Sequence, residues 1–298
     1  MRSFLIKVFL FAALIFCIDV AVGGTLSYMI SHTKGGENGR NNYICDEVDA
    51  DILIFGSSRA IHHYNPVILK DSLGMTCYNC GMDGNGIILN YGRYQMICQR
   101  YHPKVVIYDV MPGFDLLTGE DNHKYLGWLK AYYDRPGVSD IFDEVDSTEK
   151  YKMMCRMYRY NTKFIQAVSD YIHPIQDGGI NGYRPNEGEL DMMKIGKRKE
   201  LGSFEYDSLK VAYVKKMVEL SPDTRFIFVL SPHWYGMDTS QLQPVKDICK
   251  KYGYDLYDFS NNPKYNGNQS LFKDGSHLNS RGADEFTIDL ANVIREAI

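Results

Sequence analysis

From Phe4 to Gly24 the chain reads FLIKVFLFAALIFCIDVAVGG, an apolar run broken only by Lys7 and Asp19. About 20 such residues cross a bilayer core, so the pattern predicts a transmembrane anchor over residues 1–23. Arg2 and Lys7 lie at the start of the run, which orients the rest of the chain away from the cytoplasm. Asp19 falls near the far end, where water is close. A cleaved signal peptide is the competing reading; its nearest cleavage-like site is Ala21-Val22-Gly23. Cys17 comes after Phe16, too large for the small residue that precedes a lipoprotein cysteine. His32 to Asn42, rich in Gly, Asn and charge, reads as a flexible tether within a linker spanning residues 24–47.

Beyond the tether, short continuous apolar runs alternate with helix-period segments. DILIFG (residues 51–56), MTCYNCG (75–81), PKVVIYDVM (103–111), RFIFVLSP (225–232) and YDLYDF (254–259) read as five buried strands. Helices are predicted over residues 58–72, 87–100, 207–220, 239–252 and from about 280 to the end. Strand–helix alternation implies a parallel sheet with helices on both faces, and ligands in such sheets bind beyond the carboxyl ends of the strands. The rhythm breaks between Gly113 and Ser203, a tyrosine-rich, mostly helical insertion expected over the site.

Composition changes this picture little. A formal charge of −4 argues against broad nucleic-acid binding. The basic run Lys194–Lys199 is short and reads as a solvated loop. Seven cysteines show no zinc or disulfide signature, and Cys77-Tyr78-Asn79-Cys80 is better read as small buried thiols than as a redox pair. The histidines are scattered, no metal constellation appears, and no cofactor is expected.

The chemistry concentrates at strand ends. Gly56-Ser57-Ser58-Arg59 stands where the first strand turns into its helix, so a serine hydroxyl there is exposed beside backbone N–H groups that suit a developing oxyanion. The same residues also suit a plain helix cap. Asp274-Gly275-Ser276-His277 comes after the last strand. A carboxylate three residues before an imidazole can hold Nδ1–H while Nε2 faces the serine, and Asn279 or Ser280 would cap the next helix.

Taken with Asn79-Cys80-Gly81-Met82-Asp83-Gly84, these blocks resemble the SGNH/GDSL hydrolase superfamily across residues 48–111 and 222–298. The resemblance implies a flavodoxin-like three-layer α/β/α sandwich with a parallel five-stranded sheet. It implies Ser58 as nucleophile, His277 as base and Asp274 as its orienter. The Ser58 and Gly81 amides would form the oxyanion hole. One block departs: the family's GxND asparagine is missing from Tyr108-Asp109-Val110-Met111-Pro112-Gly113, leaving Asn85 or Arg59 as replacement donors. Asp109 either binds substrate or closes its strand.

His62 and His63 come just after the nucleophile turn, one expected to face the cleft and the other solvent. His233 and Trp234 could line a sugar site or simply pack, and so could Tyr132, Tyr133, Tyr151, Tyr158 and Tyr160 of the insertion. The expected activity is therefore that of a serine esterase or O-acyltransferase acting outside the cytoplasmic membrane on an acylated polysaccharide, with acetyl as the expected acyl group. A multi-spanning membrane acyltransferase is the natural partner in the transfer case. The alternative is a catalytically weak glycan-binding or scaffold subunit.

Overall fold

The computed structural model describes residues 1–161, 163–174, 179–196 and 202–297. In chain order the elements are α1 (Arg2–His32), α2 (Gly36–Asp46), β1 (Ile52–Phe55), α3 (Ser58–His63), α4 (Pro66–Leu73), β2 (Cys77–Asn79), α5 (Ile87–Cys98), β3 (Val105–Asp109) and α6 (Pro112–Asp115). Next come α7 (Val138–Val145), α8 (Glu149–Met153), α9 (Phe164–Ile172), α10 (Ser208–Glu219), β4 (Arg225–Leu230), α11 (Gln243–Tyr252), β5 (Asp255–Asp258) and α12 (Ser280–Ile294), with short 3₁₀ turns between. The chain forms two compact units, residues 1–47 with 123–177 and residues 48–122 with 178–298.

The second unit is α/β. Its five strands are all parallel, in the order β2-β1-β3-β4-β5. β1, β3 and β4 are buried on both faces, which is why they read as unbroken apolar runs, whereas the edge strand β5, expected to be buried, is half-exposed and carries Asp255 and Asp258. Ile52, Ile54, Ile107, Ile227 and Val229 pack with Phe286 and Leu290 of α12. The alternate positions Phe55, Phe226 and Phe228 meet an aromatic layer: Phe55 and Phe226 each lie 5.8 Å from Tyr94, while Tyr91 stacks edge-on against Tyr213 at 4.9 Å. Many of the chain's 23 tyrosines are therefore core residues.

Caps set the helix ends. Asp207 accepts from the Leu209 and Lys210 amides at the start of α10, and Asn279 accepts from Gly282 N–H at the start of α12. Left-handed glycines, Gly74 and Gly253, close α4 and α11. The helix expected over 58–72 is broken into α3 and α4. Pro66 disfavours helical backbone at the residue before it, and Asn65 adopts φ −87°, ψ 107°.

Part of the insertion extends the sheet unit. Asn181 O accepts from Asn79 N–H (2.9 Å), Arg184 N–H reaches Ile61 O (3.0 Å), and Tyr183 and Leu190 join the core. Of the basic run Lys194–Lys199, residues 197–199 lie outside the described residues.

In the first unit, α1 is 31 residues long, so it continues well past the predicted end of the apolar anchor at residue 23. The expected tether is helix α2. Its polar composition is used internally: Asn42 Nδ2 donates to Ile30 O (2.6 Å) and Thr33 O (3.1 Å) at the end of α1, and Asn38 Nδ2 donates to Asp170 (2.9 Å). Tyr132 OH donates to Asn42 Oδ1. Asparagines that read as linker composition are hydrogen-bonding groups that cap and bridge helices. Residues 123–177, the middle of the insertion, pack with α1 and α2 in this same unit.

Candidate functional site

β1 ends at Phe55, and the chain turns at Gly56, whose φ of 144° is unfavourable for a residue with a side chain. A Cβ there would stand 2.8 Å from Asp109 O and 2.9 Å from Ala60 Cβ, so glycine lets α3 approach β3 closely. Ser58 is the first residue of α3, at the carboxyl ends of β1 and β3. This is the switch point of a 2-1-3-4-5 sheet, where the concave site of such folds lies.

His277 Nε2 lies 2.8 Å from Ser58 Oγ, and His277 Nδ1 lies 3.0 and 2.9 Å from the two oxygens of Asp274. The residues come from opposite ends of the second unit, 219 positions apart for serine and histidine. Asp274 Oδ1 also accepts from the Ser276 and His277 amides, at 2.8 and 2.9 Å. Partial burial pulls the Asp274 carboxyl up, but the bond from His277 and these amides outweigh it and hold the pKa down at about 2. Asp274 is therefore ionised through the neutral range, and its acceptor pattern favours a proton on Nδ1 of His277, leaving Nε2 free to accept from Ser58.

The loop that carries His277 is pinned from below. Leu278 N–H donates to His63 Nε2 (3.0 Å), and His63 Nδ1 lies 2.9 Å from Ser231 Oγ at the end of β4. His63 is fully buried, and desolvation above all pushes its pKa well below 6.5; the nearby His277 and Arg59 act in the same direction. It is a neutral positioning residue.

His62 differs. Both its nitrogens face acceptors, Arg184 O at 2.6 Å and Asp83 Oδ1 at 3.1 Å, an arrangement satisfied by the doubly protonated ring. Burial lowers its pKa, but the bonds to Asp83 and Arg184 O outweigh that and leave it raised above 6.5. Its ring meets that of His277 edge-on at 5.8 Å. Neither histidine is free in solvent, contrary to the sequence expectation: α3 is one short turn packed on both sides.

The His62–Asp83 tie has a pH window. His62, with its raised pKa, contributes fully below its unfolded value of 6.5 and is lost as pH rises through the folded value. Asp83, with its lowered pKa, contributes above 3.8 and is lost as pH falls through the folded value. Imidazole NMR should show His62 titrating above 6.5, with chemical-shift changes in the Asp83–Gly84 turn tracking it. Titration at or below 6.5, or a turn indifferent to it, would show that the tie is not formed.

Several predicted ligands are placed elsewhere. Arg59 is buried, with Nη2 3.0 Å from Asp109 Oδ1 and 2.6 Å from Val110 O. Asp109 is likewise buried, and accepts from Tyr64 OH at 2.6 Å. Neither reaches a substrate; together they lock α3 to the end of β3. Asn85 Nδ2 is turned into its own loop, donating to Asp83 O (2.8 Å). Trp234 is 8% exposed and packs edge-on against Phe272 at 5.7 Å, so it is a core residue. Its neighbour His233 is half-buried and accepts the Tyr235 N–H. In the first unit Tyr132 and Tyr160 are buried and Tyr158 donates to Glu149, while Tyr151 is exposed. They do not form one aromatic platform.

The two amides expected to face an oxyanion differ in their hydrogen bonding. Gly81 N–H donates to Asn79 Oδ1 (3.0 Å), so it is already engaged. Gly84, exposed at φ 65° in the turn closed by Asn85 N–H to Met82 O (3.2 Å), has an amide with no hydrogen bond among the described residues. The Ser58 amide, at the first position of α3, is free in the same sense. The Asp-Gly pair is a legible turn signal, but which glycine amide is spared depends on Asn79 folding back.

Cys77 and Cys80 are free, buried thiols. Among the described residues, His123, Asp146 and Glu149 offer ligand atoms within 4.8 Å of one another. Lys152 Nζ, 2.7 Å from Glu149 and 3.6 Å from Asp146, already supplies the cation there.

No protein-family model matches the chain, and no curated protein matches it. What the fold and site define is a parallel α/β unit with a Ser-His-Asp hydrogen-bonded chain at its switch point.

Proposed function

We propose that this protein is a serine esterase or O-acyltransferase of the SGNH/GDSL type, acting on an acylated glycan on the outer side of the membrane that α1 spans. The observation that carries this reading is the continuous chain Asp274–His277–Ser58, with Nε2 aimed at the hydroxyl. α1, long and apolar enough to cross a membrane, supplies the location, with Arg2 and Lys7 on the cytoplasmic side.

In this mechanism Ser58 Oγ attacks the ester carbonyl carbon as its proton passes to His277 Nε2, and Asp274 stabilises the imidazolium. The Ser58 amide, at the first turn of α3, donates to the developing oxyanion. Collapse expels the sugar hydroxyl, which takes the proton from His277, and leaves an acyl-Ser58 ester. Water then completes hydrolysis, or an acceptor hydroxyl completes transfer, with His277 acting as base once more.

A second reading has one observation in its favour. The residue that ends β3, where the resemblance expects a third oxyanion donor, is Asp109, buried against Arg59. Loss of one donor costs on the order of 100-fold or more in rate. A weakly active glycan-binding subunit of an acylation complex fits that deficit.

The deciding experiment treats full-length protein in detergent with a fluorophosphonate and reads intact mass. One adduct on Ser58 is expected; an unmodified chain removes the nucleophile assignment and leaves the binding reading. Acetate release from acetylated polysaccharides, with and without an acceptor glycan, then separates hydrolysis from transfer. Asp274→Asn is expected to slow turnover by on the order of 1,000- to 10,000-fold, because the amide favours the wrong imidazole tautomer. A loss below about tenfold would mean that Asp274 does not orient His277.

A further inference from the structure

The unit formed by residues 1–47 and 123–177 carries an apolar surface that ester chemistry leaves unused. In α9, Phe164, Ile165, Val168, Tyr171 and Ile172 recur at helical spacing along one face. Its Ala167 and the half-buried Val168 pack with Leu26 and Ile30 of α1. Phe164 is 50% exposed, Ile165 81% and Ile172 57%, and nearby Met154 is 78% exposed. A groove of about 270 Å³ runs between Ala21, Val22 and Leu26 on α1 and Phe164 and Val168 on α9.

The depth of this surface is set by α1. Its apolar run from Phe4 to Gly24 matches a hydrocarbon core of about 30 Å at about 1.5 Å per residue. Asp19, near the end of that run, accepts from the Arg156 and Met157 amides, each at 2.8 Å, and from Cys155 Sγ at 2.9 Å. Residues 155–157 are thereby fixed at the level where α1 leaves the hydrocarbon. α9 then accompanies the next turns of α1. Phe164 lines the groove beside Ala21 and Val22, and the Tyr171 ring lies 6.3 Å from that of Tyr28. Between residues 150 and 163, Lys152 is paired with Glu149 and Arg159 with Asp134, and Lys163 lies over the Trp128 ring, which leaves Lys150 and Arg156 to meet anionic headgroups.

We propose that residues 154–161 and 163–172 form a lipid-contacting collar on α1, immersed in the acyl–headgroup boundary. Phe164 and Ile165 form its deep end, and Tyr171 with Tyr28 its headgroup-level aromatic rim. The occupant of the groove is a lipid acyl chain, because the surface is continuous with the part of α1 that must itself contact lipid. The inference rests on α1 being a membrane-spanning anchor. It would make the first unit an integral part of the membrane attachment.

The test uses full-length protein in which the exposed cysteines are removed (Cys17→Ser, Cys155→Ser), reconstituted in phosphatidylcholine–phosphatidylglycerol vesicles. Single cysteines introduced by Ile165→Cys, Ile172→Cys, Leu10→Cys and Lys246→Cys carry an environment-sensitive nitrobenzoxadiazole dye, quenched by lipids spin-labelled at shallow or deep acyl positions. The Ile165→Cys probe is expected to emit blue-shifted from the Lys246→Cys probe and to be quenched most by shallow labels, with a weaker shift for Ile172→Cys. If the Leu10→Cys probe is deep but the Ile165→Cys probe emits like that of Lys246→Cys, the collar is refuted and the anchor stands. If the Leu10→Cys probe is itself aqueous, the anchor reading fails and takes the collar with it.

Discussion

Ser58→Ala is expected to lower ester turnover by on the order of 10,000- to 1,000,000-fold and to abolish the fluorophosphonate adduct. The Ser58 hydroxyl is the group that His277 Nε2 meets at 2.8 Å, and alanine leaves no atom to carry the acyl group. Residual rate would come from water activated by His277 beside the backbone amide of residue 58. The neighbouring serine makes this prediction sharp. Ser57 is 2% exposed and, although it is the N-cap of α3, its side chain makes no capping bond. Ser57→Ala should therefore stay within about threefold of the parent, since it removes neither nucleophile nor cap. If the two variants lose activity equally, the nucleophile has been misassigned.

The largest effect on stability is expected at Arg59→Met. Arg59 and Asp109 are both essentially excluded from solvent and pair at 3.0 Å. Removing the guanidinium strands a carboxylate whose remaining side-chain donor is Tyr64 OH, and leaves Val110 O without its 2.6 Å donor. Breaking a buried pair from one side costs about 3–5 kcal/mol. Thermal or urea unfolding of the full chain should show that loss. The double variant Arg59→Met/Asp109→Leu should recover most of it, because an apolar replacement of the whole pair is often neutral. A single variant that costs under about 1 kcal/mol would mean the pair does not hold α3 against β3.

These two residues adjoin in sequence and differ wholly in role, which shows where local reading stops. GSSR identifies a strand-to-helix turn. It does not say that the second serine faces a histidine 219 residues away while the arginine turns under the sheet to Asp109. Trp234 is equally ambiguous, since a strand-end aromatic is the same letter whether it lines a cleft or fills a core. Whether the Gly81 amide is spared depends on one asparagine side chain, and the apparent tether depends on whether its asparagines find helix ends to cap.

What the sequence by itself determined is the set of elements whose signals lie within a few neighbours. These are the long apolar N-terminal helix, the five strands, three of them continuous apolar runs, the capped helices between them, and the order in which serine, glycine turn and DxxH arrive at strand ends. Such signals are local because strand burial and helix capping are settled over one or two turns of chain. The tertiary structure alone decided partners. It joined Ser58 to His277 and Asp274, withdrew Arg59, Asp109, Asn85 and Trp234 into the interior, and folded residues 24–47 and 123–177 around the end of α1. The physical reason is that desolvation and hydrogen bonding belong to pairs. Which atoms pair is fixed by packing between segments far apart in the chain, and composition carries no record of it.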